Sequence, residues 1–250
     1  MKRSGREVMK GEMEGKWKIG ETMMSILAVF ALALALTGSA AGVCSVCRDH
    51  NVITPGVSNS VLIGQKLDFS KVGLGYTIIG KSPDSVKGKV YGTTSKDYDT
   101  KSYFTEAGTY CVDINGNGEC DSDDTTILSV DNPKMEVSIK VGGKKVSSFA
   151  QNTAFTIDFS NNLNDSDCVN VKIKNPDGNI LTSNPSNASQ KFQNITVSEA
   201  EGMLITTDEH WKVGKYIIWI GTNSKCAQGL DYRSNNYTFE ILKPTISIKA

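Results

Sequence analysis

Asp113, Asn115, Asn117, Asp121 and Asp124 place oxygen-bearing side chains at positions 1, 3, 5, 9 and 12 of a twelve-residue run, with Gly118 at position 6. Short polar side chains at alternate positions turn several oxygens toward one point, the glycine permits the sharp turn, and the last carboxylate closes the shell from the far end. With Glu119 at position 7, the candidate metal ligands are Asp113, Asn115, Asn117, Glu119, Asp121 and Asp124. The expected cofactor is a structural calcium ion. Aspartate rather than a bidentate glutamate at position 12 predicts the affinity of an extracellular module, with Kd on the order of 10⁻⁴ to 10⁻³ M. A second reading stays open. Cys111 precedes the loop and Cys120 sits inside it, so a bridge between them would pin an acidic turn with no ion bound.

The segments that must position this loop are strands by sequence. Phe104 to Cys111 contains Gly108, while Thr125-Thr126-Ile127-Leu128-Ser129-Val130 is β-branched and soon meets Pro133. The loop resembles that of an EF-hand but lacks the flanking helices. It also resembles the calcium loop of dockerins, over these twelve residues alone and without a second copy, so cohesin binding is not implied. The setting predicts a static brace rather than a sensor.

Cys44-Ser45-Val46-Cys47-Arg48-Asp49-His50 is the other cluster with ligand chemistry. A haem anchor would need His where Arg48 stands. Zinc would take Cys44, Cys47, His50 and a fourth ligand, and redox activity would want the pair at a helix start. A structural disulfide is the plainest reading. Sequence proximity suggests Cys44 with Cys47, Cys111 with Cys120, and Cys168 with Cys226, among the 15 pairings six thiols allow. No nucleophile elbow or phosphate loop occurs, and His210 reads as a turn residue. Glu199, Glu201, Asp208 and Glu209 read as a solvated face rather than a glycosidase pair. Trp211 and Trp219 fit either a sugar platform or the core and rim of one strand. No enzyme is expected.

Met23 to Leu36 is almost wholly apolar, follows Lys16 and Lys18, and precedes Thr37-Gly38-Ser39-Ala40-Ala41. These are the three regions of a secretory signal, with cleavage expected near Ala41; a retained anchor is the alternative. The first 41 residues hold six basic and four acidic residues of the 27 each in the chain, leaving 21 against 23. A net charge near −2 with no basic patch excludes nucleic acid as a partner. All six cysteines lie in the mature part, as in chains oxidised outside the cell. Sequons at Asn164, Asn187, Asn194 and Asn236 predict a glycosylated surface. No second apolar run follows, so no membrane span is expected after signal cleavage.

Beyond Asp131-Asn132-Pro133, alternation recurs: Met135, Val137, Ile139 and Val141; Phe155, Ile157 and Phe159; Val169, Val171 and Ile173; Tyr237, Phe239 and Ile241; Ile246 and Ile248. Period two repeated this often is sheet with one dry face. Tyr216-Ile217-Ile218-Trp219-Ile220, apolar on both parities, predicts a central strand. Val197 to Glu209 could supply a short helix. Gly108-Thr109-Tyr110 and Gly214-Lys215-Tyr216 open strands alike, hinting at two related halves. The expected fold is all-β: a signal peptide over 1–41, a β domain over 42–131 carrying the loop, and an immunoglobulin-like sandwich over 132–250, both antiparallel.

Val61-Leu62-Ile63-Gly64-Gln65-Lys66-Leu67-Asp68, Gly108-Thr109-Tyr110, Ile127 to Pro133, Asn175-Pro176-Asp177-Gly178-Asn179, Trp211 to Tyr216 and Ala227-Gln228-Gly229-Leu230-Asp231 occur in that order. The order resembles a domain of unknown function in secreted surface proteins of methanogenic and related archaea, some of them S-layer glycoproteins. The resemblance covers most of residues 52–250 and supplies no catalytic residues. It implies a secreted structural envelope glycoprotein whose partners are other surface proteins or further copies of itself. The alternative is an extracellular adhesion module for polysaccharide or protein.

Overall fold

The computed structural model describes residues 44, 47–82, 88 and 90–245. The expected signal peptide lies outside the described residues, as do Ile246 and Ile248. The chain clusters into Met1–Ser39 and Ala40–Ala250, and all the described residues belong to the second unit. Among the described residues no helix is long and apolar enough to cross a membrane.

The fold is all-β. In its first part, β1 (Asn51–Val52), β3 (Lys66–Asp68) and β6 (Tyr98–Asp99) form one small sheet. β2 (Ser58–Leu62), β4 (Thr77–Ser82), β5 (Val90–Thr93), β7 (Gly108–Asp113) and β8 (Ile127–Asp131) form a second, in the order β2-β8-β7-β4-β5. A single turn of helix, α1 (Thr100–Tyr103), follows β6, with the Asp99 side chain accepting from the Lys101 amide at its start. Between the sheets lie Ile53, Val61, Leu67, Phe69, Ile78, Tyr98, Phe104, Tyr110, Val112 and Leu128, all buried.

The second part is larger. β9 (Met135–Val141), β10 (Lys144–Lys145), β12 (Ala154–Asn161) and β18 (Leu204–Thr206) form a sheet in the order β10-β9-β12-β18. Against it pack β11 (Ser148–Ala150), β13 (Cys168–Lys174), β14 (Ile180–Leu181), β19 (Gly214–Thr222) and β20 (Tyr237–Leu242), ordered β11-β20-β19-β13-β14, with β17 (Ile195–Thr196) also on β13. β15 (Ser183–Asn184) and β16 (Asn187–Lys191) make a separate hairpin. Expected helix over Val197–Glu209 shrinks to one turn, α2 (Val197–Ala200), started by a Thr196/Glu199 capping box and followed by β18 rather than more helix. The inward residues of the two large sheets share one core, in which Phe155, Trp211, Tyr216 and Phe239 pack ring on ring at 5.3–5.9 Å. Each fully buried side chain of this size contributes roughly 1.5–3 kcal/mol. The Trp211 indole N–H donates to Asn184 Oδ1 at 3.0 Å, so its polar atom is satisfied inside that core. Trp211 is therefore core, while Trp219 faces outward with the Arg233 guanidinium 5.5 Å from its ring centroid. β19 is central, yet only Tyr216, Ile218 and Ile220 are buried; Ile217 and Trp219 are half-covered.

Two expectations need correction. The sheets are not wholly antiparallel, because β2 runs parallel to β8 and β11 parallel to β20, as β1 does to β3. These parallel pairings also show that the halves share a plan: in the five-stranded sheet of the first half and the six-stranded sheet of the second, the first strand in sequence lies parallel to the last, and every other pairing is antiparallel. The proximity-based cysteine pairing is also wrong in two of its three bonds. Cys44 is bonded to Cys168 and Cys47 to Cys226, 124 and 179 residues away; Cys111 is bonded to Cys120. The segment bearing Cys44 and Cys47 runs alongside the second sandwich, where Arg48 bridges to Ala227 and the Cys44 amide donates to Asn194 O at 3.1 Å. Both thiols therefore meet partners there rather than each other.

Candidate metal loop and disulfide-bonded seam

The loop joins β7 to β8, an antiparallel pair in register Cys111↔Ile127 to Gly108↔Val130. Its shape is set by side chains accepting from nearby backbone. Asp113 takes the amides of Gly116 and Gly118 at 2.7 and 3.0 Å, Asn115 that of Asn117 at 3.0 Å, and Asn117 that of Glu119 at 2.7 Å. Gly118 sits at φ +78°, a conformation that glycine adopts without strain. Asp124 closes the turn from the far end, accepting from Ile114 at 2.8 Å and Asp121 at 3.2 Å. Positions 1 and 12 thus clasp opposite ends of the loop.

Asp113 and Asp124 are each only 2% exposed, and no cationic side chain pairs with either among the described residues. Burying a carboxylate opposed only by neutral amides is costly, and a cation between them would offset that cost. Asp121 lies at the loop's open side, where the Asp123 amide and then the Asn117 side chain hold its carboxyl below the usual range. Asn115 and Asn117 direct their side-chain NH₂ groups at Asp121 Oδ2, at 3.2 and 2.7 Å. To serve a cation, both amides must turn over and present oxygen. Glu119 is exposed, so position 7 would contribute its backbone carbonyl instead. Oxygen donors of the kind calcium takes line the loop, but Asp113, Asp121 and Asp124 do not bring their carboxylate oxygens within 4.8 Å of one another, and the Asn115 and Asn117 oxygens already accept backbone amides, so an ion would need the loop to tighten around it. The Cys111–Cys120 bond stands beside this set and does not compete with it.

Among the described residues, the cluster of three His, Cys, Asp or Glu side chains whose ligand atoms lie within 4.8 Å of one another is Asp208, Glu209 and His210. It stands on the turn before β19, and hydrogen bonding to Asp208 raises the His210 pKa. By sequence these residues are a solvated turn, and the exposure of Glu209 and His210 agrees.

A second constellation carries no sequence motif. Where the two halves of the chain meet, Leu62, Leu163, Ala227 and Leu230 form a small apolar cluster. Beside it, Gln65 donates to Gln228 at 2.7 Å, Gln228 donates to Asp167 at 3.2 Å, and the Lys66 amide donates to Gln228 O at 2.7 Å. Burial raises the Asp167 pKa. A Cβ on Gly229 would come within 2.6 Å of Lys66 Cγ, so the close approach needs glycine there. The two long-range disulfides fasten the amino-terminal segment across the same region. Gln65, Gln228 and Asp167 are far apart in sequence, and only Gly229 beside Gln228 hints at a tight contact.

The four sequons differ in setting. Asn164, Asn187 and Asn236 are exposed. Asn194 is half-buried at φ +56°, its Oδ1 accepts from Asn223 at 3.1 Å, and the hydroxyl of its Thr196 is engaged with Glu199.

No protein-family model matches this chain. No curated protein matches it either.

Proposed function

We propose that this chain is a secreted structural glycoprotein of an archaeal cell envelope, S-layer-associated, in which two β-sandwiches are locked into one body and braced at one end by calcium. The observation that carries this reading is the disulfide pattern: all six cysteines are bonded, and two bonds cross the junction between the halves. Stable disulfides belong to oxidising compartments. Bonds closing loops this long stabilise by roughly 2–4 kcal/mol each, a feature suited to a load-bearing part outside the cell. The leader, the exposed sequons and the likeness to archaeal surface proteins support the same address, and the buried Asp113 and Asp124 support calcium.

Fractionation of the native host tests the reading. The protein should be found in the envelope fraction, labelled on intact cells by a membrane-impermeant reagent, and shed when calcium is chelated. Recovery in the cytoplasm would overturn it. The alternative, an adhesion module, is favoured by one feature, the outward Trp219 beneath Arg233; a polysaccharide ligand would have to displace that guanidinium and quench the indole.

A further inference from the structure

The two ends of the described body carry opposite charge and exposed apolar side chains. β7 runs toward the acidic loop and β8 away from it, so residues 114–126 lie at the end of the sheet opposite Asp131, where the chain leaves for the second half. Five acids and no lysine or arginine fall between Cys111 and Ile127. At the same end, Val57 O accepts from the Ile127 amide at 3.0 Å, and Leu74 precedes Thr77, which pairs with Asp113. Val57, Leu74 and Ile114 are 48%, 62% and 39% exposed.

The second half ends differently. β9 leaves the junction and turns at Gly142–Gly143 into Lys144, β13 ends at Lys174, β19 begins between Lys212 and Lys215, and β20 ends before Lys243. Lys212 is paired with Asp177, and Asp208 and Glu209 stand nearby. Among the described residues Lys144, Lys174, Lys215 and Lys243 make no ion pair within 4.0 Å, although Glu240 lies across the sheet from Lys215. Val213 and Leu242, at this end, are 48% and 42% exposed.

We propose that this protein associates head to tail, the acidic loop end of one copy seated on the lysine-rich end of the next. This deepens the structural-envelope reading and rests on it. Like ends repel, so a symmetric pair through either end is disfavoured; unlike ends attract and both offer apolar surface to bury. A contact between two different patches repeats without closing unless its rotation forms a ring, which is the geometry of filaments and lattices. Calcium in the loop offsets part of its charge but leaves Glu119 and Asp123 pointing outward. Exposed charge pairs are screened by salt within a Debye length of about 10 Å at 0.1 M, so the contact strengthens at low ionic strength and on a crowded surface.

Sedimentation velocity on the oxidised protein in calcium tests this. The wild type should show a weight-average mass that grows with concentration at low salt and falls back to that of the monomer at high salt. Glu119→Lys/Asp123→Lys leaves three acids against two lysines, which a bound calcium ion makes net positive, so that both ends are basic in calcium; Lys144→Glu/Lys215→Glu leaves two acidic ends. Each variant, shown to be folded by circular dichroism, should stay monomeric alone, and mixing the two should restore association. A wild type that stays monomeric at low salt up to millimolar concentration overturns the proposal, as does a variant that associates like the wild type. If the protein is nonetheless found in the envelope, only the head-to-tail contact fails and the structural reading stands; retention there would come from other envelope molecules.

Discussion

Tyr110 and Tyr216 hold equivalent places in the two halves: each is the third residue of a penultimate strand, and each hydroxyl donates to the carbonyl four residues upstream, Glu106 at 2.9 Å and Lys212 at 2.8 Å. This is the corner that fastens the turn before that strand in immunoglobulin-like sandwiches. Burial raises the pKa of both phenols, that of Tyr216 to about 12, so both stay protonated donors at any physiological pH. Removing either hydroxyl strands a carbonyl. Tyr110→Phe and Tyr216→Phe should each lower stability by about 1 kcal/mol in urea melts. Equal losses would support two halves built alike; no loss at either would mean the bonds are dispensable.

Calcium should stabilise the folded chain by mass action, by about 1.4 kcal/mol when its free concentration is ten times Kd. The expected result is a rise in Tm at millimolar calcium that is lost in Asp113→Asn and Asp124→Asn. Without calcium each variant loses one of the two backbone amides its carboxylate accepts, a cost of about 1 kcal/mol set against the removal of a buried charge, so the calcium-dependent shift and not the starting Tm is the readout. A wild type indifferent to millimolar calcium would leave the loop as a disulfide-pinned turn.

The buried Asp167 makes the junction sensitive to pH. Its carboxyl titrates higher in the folded chain than in the unfolded one, so between the two values the folded state holds a proton that the unfolded state has released. Stability contributed at low pH is lost as pH rises through the raised folded value and stays lost above it. Asp167→Asn removes this titration. Its stability relative to wild type should therefore increase with pH across that window, and a difference constant with pH in chemical denaturation would contradict the assignment.

Glycan occupancy should follow exposure. Peptide mapping of protein from its native host should find Asn164, Asn187 and Asn236 modified and Asn194 bare, because Asn194 is half-buried and the hydroxyl of its sequon residue Thr196 is held by Glu199. A modified Asn194 would require that contact to open.

Much of the fold is legible in the sequence because period-two alternation reports a strand with one buried face, as in Val169, Val171 and Ile173. The Gly-x-Tyr pair is also legible, although its meaning is not: the hydroxyl bonds need the structure. Val61-Leu62 shows the end of β2 in the sequence, but Ser58-Asn59-Ser60 is polar and nothing local announces that the strand begins there or lies parallel to β8. The tight turn over residues 113–124 is readable because the side chains that shape it are close in sequence. The junction is not, since Gln65, Asp167 and Gln228 converge from three separate segments. Cysteine pairing fails for the same reason: proximity in sequence picks Cys44 with Cys47, whereas the fold carries both to the second sandwich.

The proposed role outside the cell requires that the disulfides which lock the two parts persist in the place where the protein works. Non-reducing peptide mapping of the protein recovered from the envelope of its native host reads those bonds. We expect Cys44–Cys168, Cys47–Cys226 and Cys111–Cys120 with no free thiol, on a chain beginning near Gly42. Free cysteines, a Cys44–Cys47 bond, or a fully reduced chain found only in the cytoplasm would refute the locked extracellular body.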